Sequence, residues 1–290
     1  MRKAFLQLHM AVFLAGFTGV LGRLITLNEA LLVWYRLLIT VLTLWVIYLF
    51  KRDVYRISWK GISRITGVGM IVALHWVSFY ASIKYANVSV ALVCFSAIGF
   101  FTAILEPLIT RKPFNKTELL LGLLVIAGIY LIFHFDPHYK KGIILGLISA
   151  LLASLFPVFN RLLVQDHKPE TVTLYQLSGG FLFLSLLLPI YLSFVPAGHL
   201  VPTLADTGWL LVLAWFCTVW AFNLSMNALK KISAFTVNLT YNLEPLYGIV
   251  LAFILFREDK YLSGSFYVGL LLIVLSVFLQ TWLIYKKRRQ

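Results

Sequence analysis

The sequence predicts an all-α integral membrane protein with ten transmembrane helices, arranged as two inverted-topology repeats of five helices each. Three observations support this prediction. First, 61% of the 290 residues are hydrophobic, 12% are charged and the mean hydropathy is +0.90, which is far from the composition of a soluble domain. Second, the apolar residues fall in runs of about 20, the length that a helix needs to cross a bilayer core of about 30 Å. Third, the second half of the chain repeats features of the first half in the same order.

Short polar loops divide the chain into its ten apolar stretches. The predicted spans are roughly residues 4–22, 30–50, 62–83, 88–110, 118–135, 143–164, 171–195, 207–229, 234–256 and 262–285. Most of the 25 Lys and Arg residues lie in the loops and tails on the side that carries both termini. The positive-inside rule therefore predicts a multi-pass protein of the cytoplasmic membrane with both termini in the cytoplasm.

The internal repeat is visible when the chain is aligned with itself. The segment VLGRLI aligns with VFNRLL, which pairs Arg23 with Arg161, and Val88-Ser89 aligns with Ile232-Ser233. We therefore divide the chain into two five-helix repeats, residues 1–137 and 138–290. Because five is an odd number, the second repeat must enter the membrane from the opposite side. Inverted repeats of this kind are typical of secondary transporters, whose substrate sites lie near the midplane.

Composition and motifs exclude several other classes of protein. The net charge of +14 comes from short basic clusters between apolar runs, so we expect no nucleic-acid partner. Cys94 and Cys217 both lie inside apolar runs, which does not suggest a disulfide framework. The six histidines show no spacing typical of a metal site, and neither a GxSxG motif nor a phosphate-binding glycine loop is present. We therefore predict no enzyme activity, no catalytic residue, no metal and no cofactor.

These features carry a family resemblance. Ten apolar spans, the five-plus-five repeat, the short hairpins at ANVSVAL and KKISAFTVNL, and the segment NLEPLYGIVLAFILFRED together resemble the drug/metabolite transporter superfamily in its EamA-type branch. That family's usual pattern places a Pro near the end of each repeat and a Glu 13 residues later. Pro245 and Glu258 fit this pattern, whereas Gly99 and Lys112 stand at the matching places of the first repeat. The resemblance implies a cytoplasmic-membrane carrier of small polar or amphipathic metabolites such as amino acids, often an exporter.

The ninth predicted span carries most of the candidate site. Glu244 lies near its middle, where an ionised side chain needs a partner or water, and Pro245 is expected to kink the helix. Asn238, Tyr241 and Asn242 add further polar groups on the same helix. Glu244 is the best candidate for proton coupling or for binding a substrate amine; the alternative is that it braces the helix against a neighbour.

Three other spans contribute candidate residues. On the eighth span, Trp220, Asn223 and Asn227 share one face, which suits either a cavity wall or interhelical hydrogen bonds. The third span carries His75, Trp76 and Tyr80; His75 suits a proton relay, or a neutral ring bonded to a backbone carbonyl.

Arg36 lies about two turns inside the second span. It can bind a substrate carboxylate, pair with Glu29 or extend toward the membrane surface.

We therefore predict a gradient-driven permease that works by alternating access, with a small-molecule substrate, membrane lipids as surroundings, and a monomeric or homodimeric state. Proton coupling through Glu244 is part of this hypothesis. One alternative is a flippase for lipids or lipid-linked precursors. Another, from a different class, is a membrane scaffold that transports nothing.

Overall fold

The computed structural model describes residues 2–51, 57–135, 137–241 and 243–287, and within these ranges it is a bundle of α-helices without a strand. The α-helices are α1 (Arg2–Leu24), α2 (Glu29–Lys51), α3 (Trp59–Tyr85), α4 (Val88–Phe95), α5 (Ile98–Thr110), α6 (Lys116–Phe135), α7 (Lys140–Asp166), α8 (Pro169–Phe194), α9 (Leu204–Ala214), α10 (Ala221–Leu229), α11 (Ala234–Tyr241), α12 (Glu244–Phe256) and α13 (Gly264–Lys287). A π-helix, Trp215–Trp220, joins α9 to α10, and 3-10 turns lie at Pro137–Tyr139 and Glu258–Lys260.

Seven helical stretches in the described part of the chain are long and apolar enough to cross a membrane. They are Arg2–Leu24, Glu29–Phe50, Trp59–Tyr85, Val88–Thr110, Lys140–Asp166, Pro169–Phe194 and Leu204–Leu229. Two shorter apolar helices follow, Glu244–Phe256 and Gly264–Leu279. The structure thus agrees with a helical multi-pass membrane protein, while the count of ten spans and the inverted orientation of the second repeat stay predictions.

Equivalent breaks occur in the two halves of the chain. In the first half α4 ends at Phe95 and α5 begins at Ile98; in the second half α11 ends at Tyr241 and α12 begins at Glu244. The helices that follow the two breaks begin 146 residues apart in the chain (244 − 98). The helix after each break ends in the same way, because Arg111 and Arg257 both adopt left-handed backbone conformations with φ of 54°. The two halves therefore share an interrupted helix, and only the second break has a proline beside it.

Helix α3 packs closely against α7 and α8, and a glycine permits the contact with α8. A Cβ atom at Gly69 would lie 1.9 Å from the backbone oxygen of Gln176. Elsewhere, α6 and α13 approach each other at Gly128 and Gly269, where a Cβ on either residue would lie within 2.7 Å of the other's backbone oxygen. Small residues at such crossings let helices in a membrane approach backbone to backbone.

Two ends of the bundle can be distinguished by their contacts. At the first, which we call the Arg23 end, α1 ends near the beginning of α4 and the end of α12. At the second, the Arg161 end, Arg161 of α7 donates a hydrogen bond to the carbonyl of Leu229, the last residue of α10. A separate cluster of buried apolar residues includes Leu229 and, from α1, Ala4, so the beginning of α1 lies at the Arg161 end.

Candidate functional site

A cavity of about 90 Å³ lies inside the bundle, between helices of both halves of the chain. Much of its wall is aromatic, with Trp76, Phe79, Phe95, Phe156 and Phe222. The side chains with polar or charged groups are Thr18, Arg36, His75, Asn160, Ser225, Tyr241 and Glu244. A mostly apolar cavity with a few polar groups is the usual form of a small-molecule site in proteins.

Arg36 of α2 is 3% exposed and is held on several sides. Its Nε donates to Thr218 Oγ1 at 2.8 Å, and its Nη1 donates to the Tyr80 hydroxyl at 2.9 Å. The guanidinium carbon lies 3.7 Å from the centre of the Trp76 ring, so the cation stacks on an aromatic face. Arg36 therefore points into the bundle and does not extend toward the membrane surface. It forms no ion pair with Glu29, whose carboxylate accepts a hydrogen bond from Tyr191.

The π-helix between α9 and α10 is tied to this arginine. A π-turn displaces the regular helical hydrogen bonds, and here the Thr218 hydroxyl donates to the carbonyl of Leu213 at 2.8 Å while it accepts from Arg36. Arg36 Nη2 also lies 3.5 Å from the Cys217 carbonyl oxygen. The guanidinium therefore satisfies polar groups that the irregular backbone leaves inside the bundle.

Glu244 is the first residue of α12, is 5% exposed and lines the cavity. Its position at a helix N-terminus favours a negative charge. Among the described residues we find no hydrogen bond to its carboxylate and no cation within 4.0 Å of it. Arg36 lines the same cavity. Pro245 occupies the first turn of α12, so the helix is interrupted before Glu244 rather than bent at the proline.

His75 links α3 to α7. Its Nδ1 lies 3.0 Å from the carbonyl oxygen of Ser149 and 2.9 Å from Ser149 Oγ, and its ring stacks on Phe95 with centres 5.5 Å apart. Because a carbonyl oxygen can only accept, the contact with Ser149 requires a proton on Nδ1. This geometry is the one expected for a neutral ring bonded to a backbone carbonyl, the second role considered for His75. The ring also lines the cavity.

The remaining residues of α11 are only partly described. Tyr241 lines the cavity, and its hydroxyl lies 2.6 Å from Ser225 Oγ of α10. Asn238 belongs to α11, but its side chain is outside the described part of the structure, and Asn242 lies outside the described residues altogether.

The face of α10 that reaches the cavity is not the predicted one. Trp220 is 45% exposed and packs on Phe216, while Asn223 lies at a separate surface depression and Asn227 donates to the Asn223 carbonyl. The cavity is lined instead by Cys217, Ala221, Phe222, Ser225, Met226 and Leu229. Cys217 and Ala221, four positions apart across the π-helix, both line the cavity, because a π-turn has more residues than an α-turn.

Several polar groups of the site were missed from the sequence. Thr218 binds Arg36, Ser149 binds His75, and Asn160 lines the cavity with a buried Oδ1 for which the described residues supply no hydrogen-bond donor. Ser149 and Thr218 are small residues inside apolar runs, where nothing in the pattern separates a ligand to another side chain from packing. Within the described ranges, no group of three or more His, Cys, Asp or Glu residues is placed to hold a metal ion.

Comparison with known proteins decides the family. The sequence profile of the EamA-like transporter family matches residues 2–134 and again residues 140–282. The chain belongs to the EamA-like transporter family. The resemblance seen in the sequence is thereby confirmed, and the chain contains two copies of the family's repeat.

Two individual relatives agree with this assignment. An uncharacterized transporter from Archaeoglobus fulgidus is 25% identical over 121 residues, which are 41% of this chain and 43% of that protein. The chain thus matches less than half of that relative's length. A solved crystal structure superposes on 99% of both chains with a TM-score of 0.70 and 16% sequence identity, which supports the fold alone.

Proposed function

We propose that this EamA-family transporter is a gradient-driven permease for small polar or amphipathic metabolites such as amino acids, and that it works by alternating access to the central cavity. Substrate export and proton coupling through Glu244 are part of the proposal. The cavity takes its walls from both repeats, which is the location expected of a substrate site in transporters built from inverted repeats.

The observation that carries the proposal is the pair of charged side chains in this cavity. Arg36 and Glu244 both line it, yet they do not form an ion pair within 4.0 Å of each other. Charged groups inside a membrane are costly and are retained mainly where they serve a function. A metabolite with a carboxylate and an amine would complement both: the carboxylate would meet the guanidinium, and the amine would meet Glu244. The aromatic wall would cover its apolar part.

Support for loading from the cytoplasm comes from the position of the cavity. Leu229 and Val237 line it and also belong to the apolar cluster at the Arg161 end. That end carries the beginning of α1, which the distribution of basic residues assigns to the cytoplasm. We therefore propose that the Arg161 end is cytoplasmic and that substrate enters from there.

Lipid flipping has less support than metabolite transport. A flippase would use polar groups that face the lipid at mid-depth, whereas Arg36 is 3% exposed and stacks inside the bundle. A scaffold without transport would not require a cavity between the two repeats.

The test is transport in proteoliposomes. Wild type, Glu244→Gln and Arg36→Gln are reconstituted, a proton gradient is imposed, and a pool of radiolabelled amino acids is supplied. We expect wild type to accumulate label. Glu244→Gln should retain exchange but lose accumulation driven by the gradient, because it cannot carry the proton. Arg36→Gln should lose both, because it cannot bind the carboxylate.

The matched control is Asp166→Asn, which neutralises an exposed carboxylate at the end of α7. It should accumulate label as wild type does. If Glu244→Gln accumulates label as well as wild type, proton coupling at this residue is rejected. If wild type moves no compound in the pool, the assigned substrate class is rejected.

A further inference from the structure

A buried carboxylate ties the two repeats together at the Arg23 end. Glu258 lies two residues beyond the end of α12 and is 2% exposed. Its Oε1 accepts from Arg23 Nη1 at 2.8 Å and from the Val88 amide at 3.1 Å. Its Oε2 accepts from the Ser89 amide at 2.8 Å and from the Ser89 hydroxyl at 2.6 Å. One side chain of the second repeat thus holds the end of α1 and the beginning of α4.

The chemistry of this contact favours a strong link. The Val88 and Ser89 amides belong to the first turn of α4, whose N–H groups have no partner within the helix. A carboxylate is favoured there by the helix dipole, and Arg23 supplies a full positive charge. We refer to the contacts among Glu258, Arg23, Val88 and Ser89 as the Glu258 latch.

Two further links close the same end. Lys84 Nζ donates to the carbonyls of Ile25 and Leu27, in the loop between α1 and α2. Asp206 of α9 accepts from the amide and the hydroxyl of Thr26, in the same loop, at 2.7 and 2.8 Å. These contacts hold helix ends and the loop between α1 and α2 together at the Arg23 end, on the side of the cavity opposite Leu229.

The repeat shows what occupies the equivalent place at the Arg161 end. Arg111 and Arg257 have the same left-handed backbone at the ends of α5 and α12, so Lys112 corresponds to Glu258. The alignment of VLGRLI with VFNRLL makes Arg161 the counterpart of Arg23. Lys112 is exposed, and Arg161 donates to the Leu229 carbonyl instead of a carboxylate. The pair of half-exposed Arg23 and buried Glu258 therefore has an Arg–Lys pair as its counterpart.

We propose that the Glu258 latch is the gate at the Arg23 end, and that the transporter rests with this end closed because Lys112 leaves the Arg161 end without an equivalent latch. The inference rests on the proposed alternating-access function. Closing the Arg161 end in the way that the Arg23 end closes would bring the cation Lys112 to Arg161, in the place where Arg23 meets the Glu258 carboxylate. The two ends therefore close with unequal strength, and the empty carrier faces the side of the Arg161 end.

Chemical modification of a native cysteine can report whether the gate is open, and this assay requires no known substrate. Cys217 lines the cavity, whereas Cys94 is buried outside its lining and can be replaced by serine. In a Cys94→Ser background, a membrane-impermeant thiol reagent is added separately to right-side-out and to inside-out vesicles, and the rate of Cys217 modification is measured. This design reports access from each face, whichever face carries the Arg23 end.

We expect Glu258→Gln to increase modification from the face of the Arg23 end by about ten-fold, since the loss of one hydrogen bond to a charged group can change an equilibrium by that factor. Lys112→Glu should act in the same direction, because it supplies the missing latch at the other end. Asp259→Asn, the neighbouring carboxylate, is the matched control and should label as the parent does. If Glu258→Gln fails to fold, Ser89→Ala removes one hydroxyl donor and should give a smaller increase.

The proposal is overturned if the Glu258 and Lys112 variants both label as the parent does from each face. Because no substrate is present, this result is independent of the transport assay. Changed labelling together with absent amino-acid transport would keep the gate and reject the substrate class. Transport together with unchanged labelling would keep the function and reject the gate.

Discussion

Replacing Gly69 with alanine should force α3 and α8 apart. The new Cβ would lie 1.9 Å from the Gln176 backbone oxygen. Carbon–oxygen contacts between neighbouring elements are about 3.3 Å or longer, so the two backbones must separate by roughly 1.4 Å. A gap of about 0.5–1 Å already removes a quarter to a half of the dispersion energy of a contact. We therefore expect a loss of about 1–3 kcal/mol or more in the free energy of unfolding, in line with other overpacked interiors.

The matched control lies two residues away in the same helix. A Cβ at Gly67 would meet nothing within 4 Å, so Gly67→Ala should only gain helix propensity, up to about 1 kcal/mol. The assay is thermal unfolding of the purified protein in detergent, with the two variants measured side by side. We expect Gly69→Ala to melt several degrees below wild type and Gly67→Ala at or above it. Equal melting temperatures for the two variants would refute the close backbone contact between α3 and α8.

Three further predictions concern the polar contacts. Arg36→Lys keeps the charge but loses the planar stacking on Trp76, and we expect initial uptake in proteoliposomes to fall at least about ten-fold while the protein elutes normally in size-exclusion chromatography. Thr218→Val removes the hydroxyl between Arg36 and the π-helix and should cost about 1–3 kcal/mol in thermal unfolding; a Thr218→Ser variant of wild-type stability would support the role of the hydroxyl. Asp206→Asn weakens the cap of α9 and the link to Thr26, so the melting temperature should fall, by an amount equivalent to about 1 kcal/mol; no change would contradict the role of the carboxylate.

The helical content and the family could be predicted from the sequence, because long apolar runs and an internal repeat leave few alternatives. The break between α4 and α5 could not be predicted from the sequence. Its counterpart in the second half is marked by Pro245, but no proline lies at the first break.

The candidate site was predicted in part. Arg36, His75 and Glu244 were recognised because charged or titratable groups are rare inside apolar runs, and all three line the cavity. Trp220, Asn223 and Asn227 do not line this cavity, because a π-turn, which has no clear sequence signal, changes the direction of the side chains that follow it. Thr218 was missed for the same reason, since its role depends on that turn.

The contacts of Arg36 also set an order of events during synthesis. Tyr80 follows Arg36 by 44 residues, whereas Thr218 follows by 182. At about 5–20 residues per second, the ribosome needs roughly 10–40 s to make the later partner. Insertion of an arginine costs about 2.5–3.5 kcal/mol at the centre of a helix, and Arg36 lies about two turns from the beginning of α2, where this cost is an upper bound. Until the π-helix has been made, the Arg36 guanidinium therefore lacks Thr218 and the Cys217 carbonyl as partners, and slower translation between these segments would lengthen that period.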